Sequence, residues 1–476
     1  MTSPTFGAWA RAWRTELVLA ALILVVAGPI VQVLQAHQAS RLVFTAAIWD
    51  DSTVVIDDYE PILGVDFAER AGHLYSDKAP GQPFLAAPFY GLARSLGASA
   101  PDVADPQRNF FDNYTLWWTS LWSATIPLAA LSVMMRRFVL RVVGDPRAAT
   151  AAAVSVALGT LLLPFATVLF SHVLAATLCF GAYLAGRDPD APAARLAAAG
   201  LLGGLAVVTE YTTGIVVLVL GVVIVARHGW RVIAYLAGGL PAAAVLAVYN
   251  TVAWGSPTDF SYDYSASFSD FHAQGLFGIR LPSPSLTAQV LFGERGLFTL
   301  TPIVLVGVIG LVQLAGRRRT REVGVVGLVV FAGFVAIQGG WFSVTAGASP
   351  GPRYVVAAIP FVAVGVAQIW RRSPWTVLVA AAWGALWMLL AIFTNPLAQP
   401  TESYAAGHWV YKALGGGLGR TLLTPLIPAP YAQLIQLLVA AGVMVVLVVL
   451  TNHETPALRA PAVLADRPEV SRHSSS

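Results

Sequence analysis

The chain has 476 residues, of which 57% are hydrophobic and only 11% are charged, and its formal net charge is +4. Soluble domains have about a quarter of their residues charged, so this composition excludes a soluble globular protein and indicates a membrane protein. The single cysteine, Cys179, excludes an intramolecular disulfide. The small positive charge gives no reason to expect a nucleic-acid partner.

Apolar stretches without charge recur along the chain and predict an all-α polytopic membrane protein with about twelve transmembrane helices. Most of them are long enough to cross a hydrocarbon layer of about 30 Å as helices, and the shorter ones need tilt or polar flanks. The predicted spans are 17–35, 115–135, 148–164, 170–186, 196–209, 211–226, 232–252, 298–315, 323–338, 354–370, 375–393 and 431–451.

The charges between these spans predict their orientation. With the N-terminus inside, 19 of the 29 basic residues and 8 of the 25 acidic residues fall on the inner side. The inner side then carries +11 and the outer side −7. Because positive residues concentrate on the cytoplasmic side of membrane proteins, we expect a multi-pass protein of the inner (cytoplasmic) membrane with both termini cytoplasmic and an uncleaved first span.

The loops predict a single transmembrane unit over residues 1–452, followed by a disordered cytoplasmic tail at 453–476. Three outer loops are long, at 36–114, 253–297 and 394–430, whereas the inner loops are short. Long loops on one face of a membrane protein indicate recognition or chemistry on that face.

The first outer loop contains the most informative motif. An apolar segment that begins at Ser40-Arg41 predicts a helix lying along the membrane interface. After an acidic stretch comes His-Leu-Tyr-Ser-Asp-Lys-Ala-Pro-Gly at residues 73–81, and then an apolar helix over 82–96 that is too short to span. The motif places a carboxylate beside an ammonium and follows them with a bend.

These features together resemble a known family. The Ser40-Arg41 segment, the Tyr75-x-Asp77-Lys78-x-Pro80 motif and the later Arg353-Tyr354 before a proline-containing span are similar to the GT-C superfamily of membrane glycosyltransferases. The similarity is to its branch of protein O-mannosyltransferase-like and lipid A aminoarabinose transferase-like enzymes. It implies transfer of a sugar from a polyprenyl-phosphate donor on the extracytoplasmic face, and it implies an acidic catalytic residue in the first loop.

The sequence departs from that branch at one position. An acidic pair commonly precedes the first-loop arginine there, whereas residues 37–40 here are His-Gln-Ala-Ser. The catalytic base therefore has to come from another part of the loop.

Transfer from a lipid phosphate needs a base for the acceptor hydroxyl and cations for the departing phosphate. We predict Asp66 and Asp77 as the catalytic carboxylates, and Lys78, Arg41 and Arg353 as ligands of the donor phosphate. Since one base suffices for a single displacement, we expect inversion of configuration.

Further candidates share a polar or aromatic side chain in the outer loops or at an outer span end. They are Asp50, Asp51, Asp57, Asp58, Glu210, His73, His272, Tyr75 and Tyr354. Structural readings stay open as well: a solvated pair for Asp77 and Lys78, turn residues for Asp57 and Asp58, membrane anchors for Arg41 and Arg353, and structural or recognition residues for His73 and His272. No cofactor is required by these residues, although a divalent metal between phosphate and carboxylate stays open.

Two other functions compete with the glycosyltransferase. A transporter or flippase of a lipid-linked saccharide suits twelve spans, but the chain has neither two similar halves nor charges in the middle of spans. A non-catalytic GT-C-like assembly partner stays open because the acidic pair is missing. For the enzyme, the partners would be the lipid bilayer, the lipid-linked sugar and an acceptor glycolipid, protein or polysaccharide.

Overall fold

The computed structural model describes residues 13–105, 114–399 and 404–454. Helices dominate these residues, and the only sheets among them are two short pairs, β1 (Ile30–Val31) with β4 (Arg420–Thr421) and β2 (Ala68–Arg70) with β3 (His73–Tyr75). The fold is therefore all-α and polytopic, as the composition predicts.

The α-helices follow one another along the chain with short breaks. They are α1 Arg14–Ala27, α2 Ala36–Asp50, α3 Glu60–Leu63, α4 Gly81–Ser95, α5 Tyr114–Ser120, α6 Ile126–Val143, α7 Pro146–Leu158, α8 Leu162–Phe165, α9 His172–Gly186, α10 Ala193–Thr209, α11 Gly214–His228, α12 Val232–Trp254, α13 Ser269–His272, α14 Pro284–Phe292, α15 Leu297–Leu300, α16 Pro302–Ala315, α17 Arg321–Gly340, α18 Ala363–Trp370, α19 Pro374–Phe393, α20 Ala405–Leu414 and α21 Ala429–His453.

Each of the twelve predicted spans overlaps one of these helices. By length and apolar composition alone, five helical stretches can cross a membrane, or six if the pair Pro284–Leu300 and Pro302–Ala315, bent by 99°, is one span. Helices α9 and α10 are apolar but shorter. The predicted tail lies outside the described residues from 455 onward.

One of the five stretches, Tyr211–Trp254, consists of two helices that run in opposite directions. Gly229 has φ +58° and ends α11. Helix α10 then packs on α12 in parallel: a Cβ on Gly200 would lie 1.8 Å from Tyr235 O, and one on Gly204 would lie 2.7 Å from Ala242 Cβ. Because α10 and α12 run in the same direction, α11, which connects them in the chain, must run in the opposite direction.

Small residues allow such close helix contacts. Gly200 and Gly204 form a G-x-x-x-G pair on α10, and Gly310 of α16 faces Gly365 of α18, where a Cβ would lie 2.0 Å from the facing carbonyl oxygen. In lipid, helices associate mainly through such packing rather than through the hydrophobic effect.

The first outer loop is folded rather than extended. Residues 36–50 form α2, whose side chains from His37 to Ala47 are buried among the other elements. The predicted apolar half-helix is α4, which has Pro88 inside it. Phe44 of α2, Phe84 of α4 and Tyr249 of α12 pack with ring centroids 5.6 to 6.0 Å apart. These contacts fix the loop on the helical bundle. They thereby position residues 76–80 of the motif, which connect β3 to α4.

Candidate active site

A β-hairpin brings the two predicted catalytic carboxylates together. Ala71 and Gly72 both have positive φ, at 53° and 82°, which is the conformation of a tight two-residue hairpin turn. The turn sets the register in which Ala68 pairs with Tyr75. Asp66 lies two residues before Ala68, and Asp77 lies two residues after Tyr75. Antiparallel pairing therefore places the two aspartates opposite each other.

Lys78 connects these two carboxylates. Its Nζ lies 2.7 Å from Asp66 Oδ1 and 2.7 Å from Asp77 Oδ2. The side chains are shielded, with 10% of Lys78, 14% of Asp66 and 4% of Asp77 exposed. Two of the three ammonium N–H groups are thus used, and one is left for a further acceptor.

The two aspartates have opposite pKa shifts. Burial raises the pKa of both, but at Asp66 the charge of Lys78 and the contact with His37 outweigh it and hold the pKa well below its usual range. At Asp77 the deeper burial and the neighbouring charge of Asp66 outweigh Lys78 and raise the pKa. A proton therefore enters the pair first at Asp77, and Asp66 stays ionised.

Helix α2 presents three polar residues to this group from one face. Ser40 Oγ donates to Asp77 Oδ1 at 3.4 Å and lies 2.9 Å from Ser76 Oγ. His37 Nδ1 lies 3.9 Å from Asp66 Oδ1, and its ring stacks on Phe170 at 4.1 Å. Burial, together with the charges of Lys78 and Arg41, lowers the pKa of His37 well below 6.5, so this histidine is neutral.

Arg41, one turn after His37, is the third polar residue on that face. Only 3% of it is exposed. Its Nη2 donates to Ser171 Oγ at 3.0 Å, and Ser171 Oγ donates to Glu210 Oε2 at 2.8 Å. Its Nε and Nη1 are buried and have no hydrogen-bond partner within the described ranges. A buried guanidinium with two free donors is a site for an anion.

Glu210 anchors this arginine. It lies just after α10, and His172 Nδ1 is 3.2 Å from its Oε2. Burial raises the pKa of Glu210, but His172, Arg41 and Ser171 outweigh burial and bring the pKa down to about 2. The carboxylate is thus ionised and stabilises Arg41 without occupying all of its donors. A Cβ on Gly81 would lie 2.6 Å from Thr209 Oγ1, so this group lies beside the Asp-Lys motif.

Arg353 also faces the site. It begins the 3₁₀-helix Arg353–Val362, its Cζ lies 5.5 Å from the Tyr354 ring centre, and its Nε is buried and unpaired within the described part of the chain. Tyr354 in turn contacts the rings of His172 and Trp341, with centroids 6.3 and 5.1 Å away.

The remaining predicted acids of the first loop hold the loop together instead. Tyr90 Oη donates to Asp50 at 2.6 Å, and Tyr59 Oη donates to Asp51 at 3.1 Å. Asp57 lies 2.7 Å from His73 Nδ1 and accepts from the Leu74 backbone N–H at 2.6 Å. Asp58 is exposed.

Two aromatic candidates have packing roles in the structure. Tyr75 packs on Trp254, with ring centroids 5.1 Å apart. His272 stacks on Tyr262 at 4.5 Å and touches Trp341 at 5.7 Å. These contacts place His272 in the aromatic wall that continues to Tyr354.

Sequence reasoning left out four members of the site, namely His37, Ser40, Ser171 and His172. His37 and Ser40 had a signal, because they lie four and one residues before Arg41 and a helix brings positions 37, 40 and 41 to one face. Ser171 had none, since its partners are 130 residues earlier and 39 residues later in the chain.

The two aspartates do not fit a divalent cation in this arrangement, because the Lys78 ammonium already lies between them. Over residues 13–105, 114–399 and 404–454, no three His, Cys, Asp or Glu side chains are grouped so that they could hold a metal ion.

The sequence matches no protein-family model and no curated protein. Solved structures do match. The chain superposes on ArnT from Cupriavidus metallidurans bound to undecaprenyl phosphate with a TM-score of 0.50 at 14% identity, covering 94% of this chain and 76% of ArnT. This chain has the GT-C fold.

More distant GT-C structures also match. The archaeal oligosaccharyltransferase AglB from Archaeoglobus fulgidus, in complex with an inhibitory peptide and a dolichol-phosphate, gives a TM-score of 0.46 at 16% identity over 84% of this chain. The arabinosyltransferase EmbB from Mycobacterium smegmatis gives 0.44 at 15% identity over 94% of it. The chain spans only 56% of the length of AglB and 42% of that of EmbB.

Proposed function

We propose that this protein is an integral-membrane glycosyltransferase that moves a sugar from a polyprenyl phosphate to an acceptor on the extracytoplasmic face of the inner membrane. The observation that carries the proposal is the buried group Asp66–Lys78–Asp77 beside Arg41, whose Nε and Nη1 are free to bind an anion. The GT-C fold supports it as the fold of membrane glycosyltransferases.

The donor phosphate is bound by the arginines. Arg41 offers two unpaired N–H directions and Arg353 offers its Nε, and guanidinium groups bind phosphate oxygens in pairs. Lys78, which uses two of its N–H groups on Asp66 and Asp77, donates its remaining N–H to the same phosphate in this proposal. When the sugar–phosphate bond breaks, the added negative charge on the phosphate is stabilised by these cations in a site shielded from water.

Asp66 is the base. It is the more exposed of the two carboxylates, and only its Oδ1 is engaged by Lys78 and His37. Oδ2 is therefore available to take the proton of an acceptor hydroxyl, whose oxygen attacks the anomeric carbon as the phosphate departs. One base and one displacement give inversion. Asp77, with one oxygen on Lys78 and the other on Ser40, is a positioning residue for Lys78.

An apolar groove beside the site suits the isoprenoid chain. It has a volume of about 230 Å³ and is lined by residues of α10, α11 and α12, among them Gly204, Val208, Tyr235 and Ala243. Val208 adjoins Thr209, which touches Gly81, so the groove ends next to the phosphate-binding arginines. Leu236, also in its wall, is 60% exposed, which places the groove open to lipid.

The transfer reaction tests the base. With undecaprenyl phosphate carrying radiolabelled mannose, glucose or arabinose and membrane extract as acceptor, we expect Asp66→Asn to lower transfer about 10²- to 10⁴-fold, because general-base catalysis contributes that much. Asp77→Asn should lower transfer less, since the amide oxygen still accepts from Lys78.

The matched control is Asp58→Asn, at an exposed aspartate of the same loop, and this variant should transfer as the wild type does. Equal transfer by wild type and Asp66→Asn would remove Asp66 as the base, and absence of transfer from any donor would favour the assembly partner.

The groove is tested by filling it. Ala243→Trp places an indole in the groove, and we expect at least tenfold weaker binding of undecaprenyl phosphate, measured by native mass spectrometry of the purified protein. Ala244→Trp, one residue further on α12 and outside the groove lining, is the control and should bind normally. Normal binding by both variants would place the isoprenoid elsewhere.

A further inference from the structure

A second cavity lies at the opposite ends of the helices that carry the active site. Its volume is about 480 Å³, and its wall contains Arg141, Arg187, Asp188, Arg195 and Arg227. Helix α9 runs from His172 to Gly186 and α10 from Ala193 to Thr209. At 1.5 Å per residue, each helix separates the cavity from His172 and Glu210 by roughly 20–25 Å. The cavity therefore belongs to the other face of the protein.

Four guanidinium groups and one carboxylate give this wall an excess of positive charge. Two of the arginines are paired: Arg195 Nη1 lies 2.8 Å from Asp188, and Arg227 forms an ion pair with Glu322 and donates to the Arg187 carbonyl. Within the described residues, no carboxylate lies within ion-pair distance of Arg141 or Arg187.

Arg187 is held in place although it lacks an acidic partner. Its Cζ lies 5.0 Å from the centre of the Phe138 ring and 5.6 Å from that of Tyr183. Its Nε is buried and has no hydrogen-bond partner within the described residues. Stacking on aromatic rings fixes the plane of a guanidinium and leaves its N–H edge free for an anion.

Membrane orientation alone does not account for this arrangement. Positive residues on the inner side need only lie near the helix ends, where they are solvated. Here four arginines at the ends of α6, α9, α10 and α11 converge on one cavity, and the free Nε donor of Arg187 is buried. Basic pockets between helices at the level of the lipid head groups bind phosphate-bearing ligands.

We propose that this cavity is a binding site for a phosphate group, with Arg141 and Arg187 as its ligands. The group belongs either to the head of an anionic phospholipid or to a small soluble phosphate. The site is distinct from the donor site at Arg41, and the inference does not depend on the proposed glycosyl transfer.

The test uses the purified full chain and two probes. Phosphatidylglycerol is titrated against phosphatidylcholine and retention is read by native mass spectrometry, and inorganic phosphate is titrated at constant ionic strength and read by thermal unfolding. The double variant Arg141→Gln/Arg187→Gln should bind the active probe at least tenfold more weakly than the wild type. The charge-matched control is Arg371→Gln/Arg372→Gln, at an exposed position after α18 outside the cavity lining, and it should stay within twofold.

The outcomes separate the sources. Selective retention of phosphatidylglycerol identifies a lipid head group, and a stabilising shift with inorganic phosphate alone identifies a soluble ligand. Arg141→Gln by itself, at an exposed side chain, should weaken binding severalfold even if loss of Arg187 disturbs the fold. Equal affinity for both lipids without a phosphate shift, or equal loss in the control variant, overturns the proposal.

Discussion

At the scale of single residues, one ammonium group serves two carboxylates that differ in burial. Lys78 is equally close to Asp66 and Asp77, yet the pKa of Asp66 is lowered and that of Asp77 is raised. The difference arises because Asp77 is more deeply buried and is repelled by ionised Asp66. The different surroundings thus give two identical side chains different pKa values, so that Asp66 stays ionised as the base whereas Asp77 is protonated at a higher pH.

This separation predicts a change in pH dependence. A raised pKa means that Asp77 takes up its proton above the ordinary value of 3.8. Once Asp77 is protonated, the charge of Lys78 is no longer shared between two carboxylates, so it acts on Asp66 alone and makes Asp66 a weaker base. In the wild type we expect kcat/KM for transfer to fall as the pH drops through that raised pKa. In Asp77→Asn this decrease in kcat/KM should be missing. The decrease should instead occur below pH 3.8, where Asp66 with its lowered pKa takes up a proton. The pH profiles of the two proteins measure this directly, and an identical acid limb would contradict the assignment.

At the scale of elements, the helices could be predicted from the sequence and the hairpin could not. Hydrophobicity over about 20 residues is a local property, so each predicted span overlaps a helix. The sequence places the motif at 73–81 in the long first outer loop without predicting a strand there, whereas His73–Tyr75 is a strand. Strands of three residues carry too little alternation to be recognised, and the turn at Ala71-Gly72 sets the pairing only once both arms are seen together.

The candidate site shows the same limit. Asp66, Asp77 and Lys78 lie within 12 residues, so their proximity could be proposed from the loop itself. The contact of Arg41 with Glu210 through Ser171 depends on how α2 packs against the ends of α9 and α10. No local pattern encodes such packing. The sequence makes Glu210 a candidate only because a carboxylate at the end of an apolar helix is costly unless it is paired or solvated.

At the scale of the whole molecule, the first and last described helices close the bundle against each other. Gln436 of α21 donates to the carbonyls of Val25 and Val26 in α1, at 3.1 and 2.7 Å. At the other end of these helices, buried Arg136 of α6 lies 2.6 Å from Glu16 and 2.6 Å from Glu454. Arg136 therefore connects the start of the chain, the sixth helix and the end of the last helix.

Removing this arginine should destabilise the fold without touching the site. In Arg136→Met the carboxylate of Glu16, 7% exposed, is left buried without its closest cation, and breaking such a pair costs about 3–5 kcal/mol. Arg137, whose guanidinium is 3.6 Å from Glu16 and whose side chain is 34% exposed, is the matched control, and Arg137→Met should cost about 1 kcal/mol or less. Thermal unfolding in detergent measures both, and the affinity of the folded protein for undecaprenyl phosphate should stay unchanged, because Arg136 lies at the face opposite the donor site. If Arg136→Met unfolds at the wild-type temperature, the closure of the bundle does not depend on this ion pair and must come from helix packing and the Gln436 contacts alone.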